Sequence, residues 1–217
     1  MKLIDDIYVY PWTSYEANNC NALFIDGPTP ALIDPGHLNF LGHVSNGMAG
    51  DGRDIRNVKL IIGTHGHPDH IEAIDSFDDS VMRAIGKAEF DYMSGGGREL
   101  FMMTGCEMPR KPFSFLLKEG MLNIGEKRLQ VLDTPGHSPG SLCLYWEEKK
   151  LLISGDTLFY MGVGRTDLPG GNMQALAQSI KKLSALDIEY LIPGHGDIVK
   201  GSDTIKKNFK VVIDEFF

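Results

Sequence analysis

No run of apolar residues in this chain approaches the roughly 20 needed to cross a bilayer, so membrane residence is not expected. Adjacent acids, Asp5 and Asp6, stand where an export signal needs an apolar stretch, so export is not expected either. Cysteine is scarce, with three residues at positions 20, 106 and 143. An odd number without metal-type or redox-type spacing makes no disulfide framework. Cys20 and Cys143 fall in apolar, strand-like runs suited to buried thiols. Reducing cytoplasm is the expected compartment. Positive charge is also short: 21 Lys and Arg stand against 29 Asp and Glu, a net charge of −8. Nucleic acid, whose binding rests on clustered Lys and Arg, is therefore not an expected partner. The basic pairs Lys181-Lys182 and Lys206-Lys207 read as solvated helix faces. There is no linker and no low-complexity tract. The 217 residues suffice for one well-buried core and are few for two domains, so residues 1–217 are expected to form a single domain.

Histidine is what the chain does have. The stretch His65-Gly66-His67-Pro68-Asp69-His70 places three imidazoles and a carboxylate in six residues, directly after the apolar run 58–62. Such donors suit a borderline divalent metal such as zinc. Residues two apart in an extended segment face the same way, so His65 and His67 are placed to grip one ion together. Asp69 and His70 follow where the chain must turn, and they can face a second ion. Three other segments repeat this grammar: Thr134-Pro135-Gly136-His137, Ser154-Gly155-Asp156 and Pro193-Gly194-His195. Each is a short apolar run broken by Gly or Pro-Gly and followed at once by a metal-capable side chain. If the runs are neighbouring strands, these donors gather at one sheet edge, and glycine lets the backbone turn there. His37, after Asp34-Pro35-Gly36, fits the same pattern as a candidate substrate contact, with a plain turn histidine as the alternative. His43 reads as a surface helix residue.

Periodicity predicts strands over 7–11, 21–25, 31–34, 58–64, 81–85, 127–133, 141–146, 151–154 and 190–192. Helices are predicted over 38–49, 71–75, 87–93 and 172–185 (capped by Asn172), with a last helix capped by Ser202 and running to about 213. Residues 94–120 are too apolar for disorder and too long for a plain connection. They read as a partly helical flap over the site or as a homo-oligomer contact. Clustered strands with helices between them predict an α/β sandwich, sheets inside and helices outside.

Taken together, the four histidine- and aspartate-bearing segments and the Asp34-Pro35-Gly36 turn resemble the metallo-β-lactamase superfamily over nearly the whole chain. The resemblance implies a four-layer αβ/βα sandwich of two mixed β-sheets with helices outside. It implies that His65, His67 and His137 hold one ion, Asp69, His70 and His195 a second, and that Asp156 bridges them. Two divalent cations are thus the expected cofactors, zinc first, with iron and manganese as alternatives. Within the superfamily, Gly155-Asp156-Thr157-Leu158-Phe159 and Gly162-Val163-Gly164-Arg165-Thr166-Asp167 are similar to glyoxalase II, the hydroxyacylglutathione hydrolases. The second piece is equally similar to persulfide dioxygenases. Glyoxalase II carries a helical C-terminal domain that holds glutathione, whereas 22 residues follow His195 here. Arg165, or Arg98, Arg110 and Lys111 of the flap, would have to substitute, or else Arg165 pairs with Asp167 or Asp69.

The implied activity is hydrolysis of a small-molecule thioester by a hydroxide shared between two ions, with Asp69 and Asp156 as the catalytic carboxylates. Arg165, Tyr160 and His37 are the candidate substrate-binding residues. Asp133, Thr134 and Ser138 are candidate hydrogen-bond partners of the ligating imidazoles. The alternatives are a persulfide dioxygenase using a single iron on His65, His137 and Asp156, or a lactone or phosphodiester hydrolase on the same fold.

Overall fold

A computed structural model describes residues 1–14 and 16–217. Seven strands make the first sheet, in chain order: β1 (Lys2–Ile4), β2 (Ile7–Tyr10), β3 (Ala22–Ile25), β4 (Ala31–Ile33), β5 (Leu60–Gly63), β6 (Met82–Gly86) and β7 (Phe115–Leu117). The second contains β8 (Gly120–Ile124), β9 (Lys127–Asp133), β10 (Leu142–Trp146) and β11 (Leu151–Gly155). After a small hairpin of β12 (Leu158–Phe159) and β13 (Gly162–Val163), β14 (Tyr190–Pro193) and β15 (Val199–Lys200) complete it. Both sheets are mixed. β1 to β4 pair antiparallel and β4 to β7 parallel, while β11 and β14 form the parallel pair of the second sheet.

Alternation along the strands builds the layers. Ile7 and Val9 of β2 face a core shared with Leu129, Val131, Leu142 and Leu144 of the second sheet. Tyr8 and Tyr10, pointing the other way, join Val44 and Met48 of α1 (Leu41–Gly50). The second sheet repeats this, because Leu132, Cys143 and Leu152 turn outward. They meet Leu176, Ile180 and Leu183 of α5 (Met173–Leu183) and Ile205, Phe209 and Val212 of α6 (Ser202–Phe216). Spacings of four and three residues put each of these triplets on one helix face. Three apolar clusters between four layers give the sandwich with helices outside, as the sequence pattern predicts. Of the shorter helices, α2 is Pro68–Ile71, α3 Lys87–Met93 and α4 Arg98–Thr104.

Two local expectations need correction and a third gains detail. The helix expected just beyond His70 begins at Pro68, so Asp69 and His70 lie inside it, and residues Glu72–Ser76 continue as a 3-10 turn. Proline at the first helical position is the reason, since it lacks the N–H that the first turn leaves unpaired. Ser202 is the first residue of α6 rather than its cap; Gly201, at φ 98°, precedes it. Residues 94–120, expected to be partly helical, supply α4, and they end in an edge strand β7 that the sequence reading did not place. Among the described residues, no helix is long and apolar enough to cross a membrane.

Candidate metal centre

The donors sit where the two sheets meet. His65 follows β5, Asp156 follows β11 and His195 follows β14, each just past a strand's C-terminal end. His137 lies between β9 and β10, and α2 carries Asp69 and His70. A backbone bond ties the sheets together here, with Leu142 N donating to Thr64 O at 3.0 Å. Two glycines are required at this point. Gly155 has φ 48° and packs on Thr64, and a side chain on Gly194 would overlap the Asp156 carboxylate and the His70 ring. Ligands gathering beyond the carboxyl ends of parallel strands is the general habit of such sheets.

Three overlapping triads of donor atoms form, each within 4.8 Å: His65, His67 and His137; His65, His70 and Asp156; and Asp69, His70 and His195. Asp156 lies among all of them. Its Oδ1 is 3.3 Å from His70 Nε2, and its Oδ2 is 3.4 Å from both His137 Nε2 and His195 Nε2. His137 Nε2 stands 2.9 Å from His67 Nδ1, and His195 Nε2 is 3.2 Å from Asp69 Oδ2.

The opposite edge of three rings is anchored, which fixes the tautomer. His70 Nδ1 donates to Asp34 Oδ2 at 2.9 Å. His137 Nδ1 donates to the Arg165 carbonyl at 2.7 Å. His65 Nδ1 reaches Thr64 Oγ1 at 3.1 Å, and that hydroxyl donates to Asp34 Oδ2 at 2.7 Å. The Nε2 atoms of these three rings are thereby turned toward the cluster. His65 Nε2, His67 Nε2 and Asp156 Oδ1 are buried without any hydrogen-bond partner. Orphaned polar atoms of this kind are rare and costly, and a cation is what would satisfy them.

Electrostatics divides the cluster. Burial, together with the neighbouring imidazoles, holds His65 well below the ordinary histidine range and takes His67 down to about 3. Burial also opposes charge on His70 and His195, yet the carboxylates outweigh it, lifting His70 well above its usual value and His195 to about 9. Asp69 and Asp156 are pushed up by burial but pulled down further by His70 and His195, so both stay ionised. A divalent cation among these donors would compete with protons for the same nitrogen and oxygen atoms.

A cavity of about 450 Å³ opens onto this cluster. His67, Asp69, His137, Asp156 and His195 form its floor, and Leu100, Phe159, Val163 and Leu168 give it apolar walls. Arg165 lines it too, with its guanidinium on Asp167 at 2.6 Å rather than on Asp69. Tyr160 is exposed while its neighbour Phe159 faces the cavity. The His37 ring turns to Glu72, 2.7 Å away. Arg110 pairs with Glu107 and Lys111 with Asp79, both outside the cavity lining. His43 donates from the surface of α1 to the Pro11 carbonyl.

The partners expected from Thr134 and Ser138 are corrected. Thr134 Oγ1 pairs with Thr157, and Ser138 Oγ donates to Glu89. The residues that orient the donors are Asp34, Thr64, Asn18 and Glu89. Asn18 Nδ2 donates to Asp69 Oδ2 at 2.7 Å. Glu89, fully buried, accepts from Gly66 N at 2.7 Å, Gly140 N at 2.8 Å and Ser138 Oγ at 2.8 Å. It therefore clamps the loop of His65 and His67 to the loop of His137. Asp34 carries a readable signal, an aspartate before Pro-Gly at a strand end, and its φ of 51° marks a strained backbone. Glu89 carries none.

Residues 15–195 match the family model described as the metallo-beta-lactamase superfamily. The Bacillus subtilis protein named "Probable metallo-hydrolase YqgX" is 40% identical over 187 residues, 81% of this chain and 84% of that protein. The Haemophilus influenzae hydroxyacylglutathione hydrolase GloC is 30% identical over 201 residues, covering 88% of this chain and 91% of its own length. Among solved structures, the di-iron-bound form of TTHA1623 superposes with a TM-score of 0.69 at 32% identity, covering 83% of this chain and 89% of that one.

Proposed function

Since the chain belongs to the metallo-beta-lactamase superfamily, we propose that it is a two-metal hydrolase of small-molecule thioesters. The observation that carries the proposal is the placement of Asp156, whose two oxygens lie within 3.4 Å of imidazoles on both sides of the cluster. In this reading His65, His67 and His137 hold one ion, and Asp69, His70 and His195 the other, with Asp156 between them. An all-imidazole and carboxylate donor set without sulfur suits zinc, and also iron or manganese. A bound pair of divalent ions supplies Lewis acidity toward a carbonyl and lowers the pKa of water to about 7.

The protein's own groups do the rest. Asp69, steadied by Asn18, turns one carboxylate oxygen toward His195 and can accept a proton from an attacking water. Leu100, Phe159, Val163 and Leu168 exclude water from the acyl group. Arg165 stands at the cavity in a two-point pair with Asp167, with its remaining N–H groups placed to meet an anionic end of the substrate. Asp34 and Glu89 keep the donors in register, so the geometry is preorganised before substrate arrives. Identity to a hydroxyacylglutathione hydrolase favours a thioester over a lactone or phosphodiester. The persulfide dioxygenase reading would leave Asp69, His70 and His195 without a task, although they form a triad of their own.

Elemental analysis of purified protein, paired with a thioester panel, tests this. The expected result is two metal equivalents and hydrolysis of thioesters, with S-lactoylglutathione and a glutathione-free thioester compared. One equivalent of iron, with oxygen uptake on glutathione persulfide, would overturn it.

A further inference from the structure

Outside the proposed catalytic cluster, one other set of metal-type donors converges among the described residues: His37, Glu72 and Cys106, whose ligand atoms lie within 4.8 Å of one another. They come from three separate stretches. His37 follows the turn after β4, Glu72 opens the 3-10 turn behind α2, and Cys106 follows Gly105, which ends α4 at φ 69°. Two of the three are already held in place. His37 N donates to Asn19 Oδ1 at 2.8 Å, and Glu72 Oε2 accepts from His37 Nδ1 at 2.7 Å and from Leu38 N at 3.2 Å. Both side chains are 17% exposed, sheltered but reachable from solvent.

Cys106 is different. Its sulfur has only long contacts, 3.9 Å to His37 Nδ1 and 3.8 Å to the Thr104 carbonyl. It is half-buried, unlike Cys20 and Cys143, which are enclosed and bonded to the carbonyls of Asp34 and Ser154. A thiol beside an imidazole and a carboxylate is a borderline-to-soft donor set. It suits zinc or cobalt and gives no hold to magnesium or calcium, which take oxygen alone.

We propose that His37, Glu72 and Cys106 form a separate binding site for a zinc-class divalent cation. The cation displaces the thiol proton to solvent and forms a sulfur–metal bond. The His37 Nδ1 proton, now donated to Glu72, is given up while the ring takes one on Nε2 from solvent, which frees Nδ1 to ligate, and a Glu72 oxygen and water complete four ligands. The bond ties the end of α4 to the turn that also carries Asp34. Because α4 supplies Leu100 and Thr104 to the wall of the proposed active cavity, occupancy here fixes that wall.

Sulfur makes the site separately visible. The proposed catalytic donors are nitrogen and oxygen only, so cobalt in those positions gives no thiolate-to-metal charge-transfer band. The metal-free full-length protein, titrated to saturation with Co²⁺, is expected to develop that near-ultraviolet band and to bind three equivalents. Cys106→Ser and His37→Ala should each reduce binding to two equivalents, and Cys106→Ser should abolish the band. Asp156→Ala should leave the band in place while emptying the other positions, so the two assignments fail separately. Circular dichroism confirms that each variant is folded. The absence of any near-ultraviolet band at saturating cobalt, or a band that survives Cys106→Ser, would overturn the proposal.

Discussion

The two ligand triads proposed for the centre are held by different means. Among His65, His67 and His137, the anchors are neutral: a threonine hydroxyl and a backbone carbonyl. Glu89 also contributes there, but it binds the backbone of both loops rather than the rings. In the triad of Asp69, His70 and His195, a carboxylate acts on a ring directly, Asp34 on His70. That triad is also the more open one, with the His195 side chain 27% exposed. The contrast separates two ways of building a metal site. One positions neutral imidazoles by fixing the loops that carry them. The other adds negative charge next to the donors, which raises their basicity as ligands. Damage to the first should appear as lost stability, and damage to the second as lost metal.

Asp156 belongs to both sides, so its removal is the severest test. Asp156→Ala should empty both positions and lower thioester hydrolysis by more than the roughly 10–100-fold that loss of an outer partner costs. His195→Ala should leave one metal equivalent on the buried side. Elemental analysis distinguishes the pair. If Asp156→Ala keeps two equivalents and full turnover, the carboxylate does not join the two triads.

Asp34→Asn comes next. Asp34 Oδ2 accepts from both Thr64 Oγ1 and His70 Nδ1. An amide cannot accept at both oxygens, so His70 loses its anchor outright, and Thr64 Oγ1 loses its acceptor but stays beside His65 Nδ1, while Thr64 N keeps its partner on Oδ1. Chelator competition should show a roughly 10–100-fold weaker grip on the ion proposed for Asp69, His70 and His195, and a smaller loss on the other, whose His65 is held only indirectly. Equal weakening of both would erase the distinction between the triads.

Glu89→Gln tests the other half of the comparison. The new amide NH₂ must face Gly66 N on one side, or Gly140 N and Ser138 Oγ on the other, leaving donors opposed in a buried site. The expected cost is about 1–3 kcal/mol in urea unfolding. Metal content should stay at two equivalents, because no ring is touched. A variant of wild-type stability that has lost metal would reverse the roles assigned to Asp34 and Glu89.

The difference in how these residues act also explains what the sequence could reveal. Histidines and aspartates placed just after Gly-broken apolar runs are legible as metal-type donors by residue type alone, and the structure brings all seven side chains together. The alternation in Ile7, Tyr8, Val9 and Tyr10 likewise states which face each strand turns to which layer. Glu89 could not be found this way, since a carboxylate opening a helix is ordinary and its partners are 23 to 51 residues away in the chain. β8 was hidden for a related reason. As the edge strand of the second sheet it leaves Gly120, Met121 and Asn123 exposed, and so carries little of the pattern that identifies a strand. The start of α2 was readable from Pro68, but the metal-type motif overlies it and masks a helix signal with a chemical one.

Asn18→Ala should have the smallest effect, and its size bears on how open the second triad is. Asn18 Nδ2 donates to Asp69 Oδ2, the same oxygen that faces His195. Asn18 is exposed and lines the cavity, so water can enter when its amide is removed and donate in its place. A replacement water recovers most of a direct hydrogen bond at an entropic cost of about 0–2 kcal/mol. Metal content should therefore stay unchanged, and hydrolysis should fall less than about tenfold, equivalent to roughly 1.4 kcal/mol in the barrier. A drop as large as that of Asp34→Asn would mean that water cannot stand in for the amide. Asp69 would then be held as rigidly as the imidazoles of the buried triad, and its open side would be closed in the working protein.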